Sequence, residues 1–232
     1  RALADAVRWN LIAVNPATGV RAPRGEPTEM TVWTAEEAKR FLDAMADDRL
    51  IALWTVALHT GLRRGELAGL RWTDVDLAEG TLTVAQQRTT ANHQVVITTP
   101  KAKSQRQLLL APATVAALRA HLHRQRQERL ALGPAWTDSG YVFVDQVGVE
   151  YHPHRFTKLF EDAVKRAGVP KIRLHDTRHT MATLALEAGV HPKVVQEQLG
   201  HSAIAVTLDT YSHVPQAVRR DSADKIAGLF GD

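Results

Sequence analysis

The chain contains no cysteine among its 232 residues. That absence excludes disulfide bonds, thiolate metal sites and a cysteine nucleophile, and it suits a reducing cytoplasm. No apolar run approaches the ~20 residues that a membrane-spanning helix needs, and the first residues lack a signal-peptide pattern. There is no internal repeat and no low-complexity tract. Neither sign of charge dominates: 29 Lys and Arg stand against 25 Asp and Glu, a formal net charge of +4. Such a balance permits a polyanionic partner without requiring one. The chain starts at Arg1 and not at Met, so we expect further sequence upstream.

What is present reads mostly as helix. Leu3, Val7 and Leu11 recur at helical spacing over residues 2–13, and a Pro- and Gly-rich basic stretch with Arg21 and Arg24 follows as a linker. A new unit opens near Met30, where Thr34 and Glu37 form a capping-box signature. Further helices are predicted over 48–59, stopping at Gly61, and over 64–70. Between Val75 and Leu110 the apolar period shortens to two, predicting a small antiparallel sheet with strands at 81–84, 94–97 and 107–110 and turns at Glu79-Gly80 and Ala91-Asn92. Pro112 starts a long helix to Leu132, with Val115, Leu118 and Leu122 inward and Arg119, His123 and Arg126 outward. Tyr141–Val144 reads as a short strand, and helices are predicted at 153–167, 175–188, 192–199, 203–210 and 215–229. The expected class is mainly α with a small antiparallel β-sheet, an α+β fold.

Three polar segments stand out: Thr60-Gly61-Leu62-Arg63-Arg64-Gly65-Glu66-Leu67, then Leu174-His175-Asp176-Thr177-Arg178-His179-Thr180, then Leu199-Gly200-His201-Ser202 with Tyr211 downstream. In this order the chain resembles the catalytic domain of the tyrosine recombinase (phage integrase) family over about residues 30–232. The resemblance implies a catalytic set of Arg63, Lys101, His175, Arg178, His201 and the nucleophile Tyr211, with Glu66 in support. It places the family's hairpin lysine on Lys101, in Thr-Pro-Lys-Ala-Lys-Ser-Gln-Arg, with Lys103 as the alternative. It implies residues 1–28 as the last helix and linker of an upstream core-binding domain, and 29–232 as the catalytic domain. The implied activity is site-specific recombination through a 3′-phosphotyrosine, integrating or excising a mobile element.

These residue types suit that chemistry. Attack on a phosphodiester builds negative charge on the phosphoryl oxygens, and two guanidiniums donate bidentate bonds to them. A phenol with an ordinary pKa of about 10 ionises more readily among cations. His175 suits proton acceptance, and a Lys101 ammonium suits protonation of the leaving 5′-oxygen. His201 suits a non-bridging oxygen. Glu66 would repel phosphate directly, so its expected role is an ion pair that fixes Arg63. The charge is supplied by side chains, so neither a metal nor another cofactor is expected.

Taken singly, each residue has a plainer reading: a solvated cation for Arg63, Lys101 or Arg178, a helix-capping His175, a packed Tyr211. Arg119, His123 and Arg126 read as a solvated face. His175-Asp176-Thr177-Arg178-His179 also looks like a zinc-protease helix with Asp for Glu, although Arg178 would then face a dication. Two other functions fit part of the pattern. A type IB topoisomerase would reseal the same strand, and a DNA-binding regulator would form no adduct. Expected partners are double-stranded DNA attachment sites, a homo-tetramer on DNA and accessory DNA-bending or directionality proteins, with no membrane. The expected location is the cytoplasm, at the nucleoid of a bacterium or phage host. The tail after Pro215 reads as an amphipathic helix that docks either on its own domain or on a neighbour. Residues 1–232 alone are expected to bind DNA weakly, with strong salt dependence, and not to recombine it efficiently; integration or excision is expected of the full-length protein.

Overall fold

A computed structural model describes residues 2–20, 31–99 and 105–200. Helix α1 (Ala2–Arg8) is shorter than the periodicity suggested and has no buried residue. Asn10 adopts a left-handed φ of 57°, which stops the helix, and Leu11 is left exposed. Helix α2 (Ala35–Ala44) carries the expected capping box. The Thr34 hydroxyl accepts from the Glu37 amide at 3.2 Å, and the Glu37 carboxylate accepts from the Thr34 amide at 2.9 Å. Helix α3 (Ile51–Thr60) is buried almost all round and ends at Gly61 in the left-handed region. Helix α4 (Arg64–Gly69) follows directly.

The β region differs from the single sheet expected. Strands β1 (Val75–Asp76), β2 (Thr81–Val84) and β5 (Arg106–Leu109) form one antiparallel sheet with β2 in the middle and Leu82 opposite Leu108. Strands β3 (Gln87–Ala91) and β4 (Gln94–Thr98) form a separate hairpin. Its two-residue turn is Asn92-His93, both at positive φ, the backbone such hairpins require. Strand β3 escaped the sequence reading because Gln-Arg-Thr-Thr-Ala has no apolar alternation; its buried residue is Arg88. Tyr141–Val144 is buried but is not a strand. It makes only isolated bridges, Arg71 to Tyr141 and Val144 to Glu150, because its apolar run reflects burial and not ladder pairing.

Helix α5 (Pro112–Leu132) has the predicted bounds, yet its buried side chains include Thr114, His121 and Gln125 beside Leu118. The polar groups are tied down: Trp72 Nε1 donates to Gln125 at 2.7 Å, and Gln125 and His121 both donate to the Val142 carbonyl. Helices α6 (Pro153–Ala167), α7 (Asp176–Glu187) and α8 (Pro192–Leu199) complete the described fold. The helices expected at 203–210 and 215–229 lie outside the described residues. Among the described residues most of the core is a large cluster centred on Phe41 and Phe160, which touch each other and both Trp33 and Trp54. A second, small one joins α7 to α8 through Met181, Ala182, Val195 and Leu199. No described helix is long and apolar enough to cross a membrane. The class is mainly α with small antiparallel sheets, as expected.

Candidate active site

The turn between α3 and α4 presents the first arginine. Gly61 closes α3 at φ 64°, and Arg63 is extended at the N-cap of α4. A Cβ on Gly61 would lie 2.6 Å from Met181 Cε and 2.9 Å from Leu199 Cδ2, so glycine is needed there for both its φ and its size. Glu66, 3% exposed, takes the Arg63 amide on Oε2 at 2.8 Å and the Arg63 Nη1 on Oε1 at 2.9 Å. The pair expected from the spacing is therefore present, and it fixes a guanidinium that remains about one-third exposed at 34%.

Arg178 reaches the same turn from α7. It is 2% exposed, and it donates from Nη1 to the Gly61 carbonyl at 2.8 Å and from Nη2 to the Leu199 carbonyl at 2.6 Å. One guanidinium thus ties the turn before Arg63 to the end of α8. His175 sits at the N-cap of α7 with an exposed edge, its ring 5.0 Å from that of His179, edge to face. Partial burial, then the charge of Arg178, lowers its pKa; Asp176 opposes this, while Arg173 and Arg63 add to it. His175 therefore senses both arginines. Asp176 is engaged by Arg173, whose guanidinium approaches at 2.8–3.2 Å and whose amide donates at 2.8 Å. Among the described residues no three His, Cys, Asp or Glu side chains cluster as metal ligands.

The structure thus brings together Arg63, Glu66, His175 and Arg178. Lys101, with its alternative Lys103, and His201 and Tyr211 lie outside the described residues. The sequence reading missed Arg106. It starts β5, is almost buried at 8% side-chain exposure, and grips Glu66 with both Nη groups at 3.1 and 3.0 Å. Its Nε donates to the Gln198 carbonyl at 2.6 Å. The only signal in the sequence was an arginine at the head of an apolar strand. Burial of Glu66 would by itself raise its carboxyl pKa; Arg106 first and Arg63 second outweigh that and hold it below the ordinary range.

Comparison with known proteins bears on the fold and the family. The profile of the phage integrase family matches residues 31–217. A tyrosine recombinase XerC-like protein of Caldanaerobacter subterraneus subsp. tengcongensis is 33% identical over 97% of this chain. The ICEBs1 integrase of Bacillus subtilis is 29% identical, also over 97% of it. This chain spans 62% of the length of each of these relatives. The XerA recombinase structure superposes at a TM-score of 0.66 with 29% identity, covering 88% of this chain and 66% of that one. The Tn1549 transposon integrase in complex with transposon right end DNA shares the fold at a TM-score of 0.76 and 24% identity, over 97% of this chain and 76% of that one. None of these favours the topoisomerase or the silent-regulator alternative. With the match covering most of its length, the chain belongs to the phage integrase family.

Proposed function

We propose that this chain carries out the strand-cleavage and strand-joining chemistry of a site-specific DNA recombinase, on double-stranded attachment sites. The observation that carries this reading is the bond from Arg178 to the Gly61 carbonyl, two residues before Arg63, across 117 positions of sequence. It brings two arginines and His175 into one patch. Residues 29–232 form the catalytic unit in this proposal, and residues 1–28 a helix and linker leading into it.

In the proposed step, the Tyr211 phenol oxygen attacks phosphorus and the DNA 5′-oxygen leaves. The phenol proton passes to His175, and Lys101 protonates the leaving oxygen. Arg63 and Arg178 stabilise the charge on the non-bridging oxygens, with His201 beside them. The depressed pKa of His175 supports its role, because a neutral imidazole accepts a proton at neutral pH. Attack of another strand's 5′-hydroxyl on the 3′-phosphotyrosine completes the exchange. A homo-tetramer on DNA, accessory DNA-bending or directionality proteins, and a site of action at the bacterial nucleoid belong to the same proposal.

The test is covalent trapping. A pool of random-sequence duplexes carrying a nick that releases the cleaved end is incubated with the chain, and protein–DNA adducts are isolated. The expected result is an adduct on Tyr211 whose sequenced ends converge on one motif, and none from Tyr211→Phe. An adduct that persists in Tyr211→Phe refutes the nucleophile. No adduct from the parent chain refutes cleavage by it.

A further inference from the structure

We infer that Arg106 is a positioning residue of the strand-cleavage site: it holds Glu66, and through it Arg63, in register with the end of α8. This rests on the cleavage reading above and adds to it a residue outside the catalytic set. The Glu66 carboxylate receives four bonds. Oε1 takes Arg63 Nη1 and Arg106 Nη1, and Oε2 takes the Arg63 amide and Arg106 Nη2. Two donors on each oxygen leave the carboxylate no freedom to rotate. Arg63 holds only one side of it; Arg106 supplies the other.

The same guanidinium faces α8. Its Nε bond to Gln198 and the Arg178 bond to Leu199 occupy consecutive carbonyls at the C-terminus of that helix, where carbonyls lack intrahelical partners and cations are favoured. Gly200 completes the fit. It sits at φ 65°, and a Cβ there would come within 2.9 Å of Arg106 Nη1 and 3.2 Å of Arg106 Cδ. The close approach of Arg106 thus depends on glycine at the residue just before His201. A buried carboxylate held by one arginine alone would satisfy local electrostatics. The second arginine joins β5, α4 and α8 at a single point.

Lysine retains the charge of Arg106 but cannot make two parallel bonds to Glu66 and a third to Gln198. The experiment compares Arg106→Lys, Glu66→Gln and the double variant with the parent chain. Two quantities are measured: the rate of adduct formation at saturating suicide duplex, and the nanosecond order of the Arg63 side chain by ¹⁵N relaxation of its Nε–H. Arg106→Lys is expected to slow adduct formation roughly tenfold, with duplex affinity unchanged, and to loosen Arg63. In the Glu66→Gln background it should slow the reaction no further, because the link is already cut. Multiplying losses, or an ordered Arg63 in Arg106→Lys, overturn the inference. Should Arg106→Lys fail to fold, Glu66→Gln must still loosen Arg63, and an Arg63 that stays ordered there also overturns it. A parent chain that forms no adduct refutes the cleavage reading instead, and the order of Arg63 still decides whether Arg106 positions it.

Discussion

The imidazole of His121 lies on α5 with 3% exposure and donates from Nε2 to the Val142 carbonyl at 2.8 Å. Its Nδ1 therefore carries no proton, and that nitrogen has no partner among the described residues. Burial, aided by the charges of Arg49 and Arg124, pushes the pKa down to about 4 against the Val142 carbonyl, which favours the cation. The unfolded value is 6.5. Since the folded pKa is the lower one, the stabilising effect is complete above pH 6.5 and is lost as the pH falls towards 4. At pH 4.5 the cost is about 2.5 kcal/mol. His121→Gln keeps a donor for Val142 and cannot titrate. Urea unfolding at pH 7 and pH 4.5 is expected to show the parent losing about 2.5 kcal/mol more than His121→Gln. Equal losses would place the acid sensitivity elsewhere. His59, also shifted down by burial, adds in the same direction and is common to both proteins.

Helix α4 shows what was legible in the sequence and what was not. Its bounds could be read from Gly61 and the apolar pattern, and the Arg63–Glu66 pair from its spacing. Its packing could not. Gly65 and Gly69, four apart, lie against the polar strand β3, which gave no periodic signal. A Cβ on Gly69 would sit 2.9 Å from Gln87 Cα and 3.1 Å from both the Arg88 amide nitrogen and the Gln86 carbonyl. Those are backbone atoms and cannot swing aside. Gly69→Ala should therefore push β3 away and destabilise the fold by about 1–3 kcal/mol, although alanine favours helices. Thermal or urea unfolding measures this, and an unchanged midpoint would show that β3 yields freely. Arg88 would move with the strand, disturbing the pair of guanidiniums, Arg71 at 5.1 Å and Arg88 at 4.8 Å, stacked on Tyr141. Arg106 was hidden for a related reason. In sequence it looks like the solvated start of a strand, and only the fold brings it against Glu66, 40 positions away. The polar inner face of α5 was hidden because its partners, Val142 and Trp72, are also distant in sequence.

At the scale of the molecule, the candidate site spans two cores of unequal size among the described residues. Glu66 belongs to α4 and Arg63 caps it, next to the large aromatic-centred cluster. The carbonyls that Arg106 and Arg178 grip belong to α8, which is held hydrophobically by the small cluster of Met181, Ala182, Val195 and Leu199. Among the described residues the apolar cluster behind α8 is small, so within them α8 relies on those two arginines to a degree that α3, buried nearly all round, does not. Local opening draws on the least buried elements, so α8 should open well before global unfolding. Amide hydrogen exchange is expected to be faster across 194–199 than across 53–60. Arg106→Lys should speed the first set and leave the second unchanged, because Arg106 bonds α8 and α4 but makes no hydrogen bond to α3 among the described residues. Equal opening energies for the two helices would mean that the small cluster is part of one cooperative core. If α8 does open on its own, ordering it is a step that DNA can drive. A duplex that engages Arg63 and Arg178 would then slow exchange in α8 more than in α3, and the same measurement with and without DNA decides it.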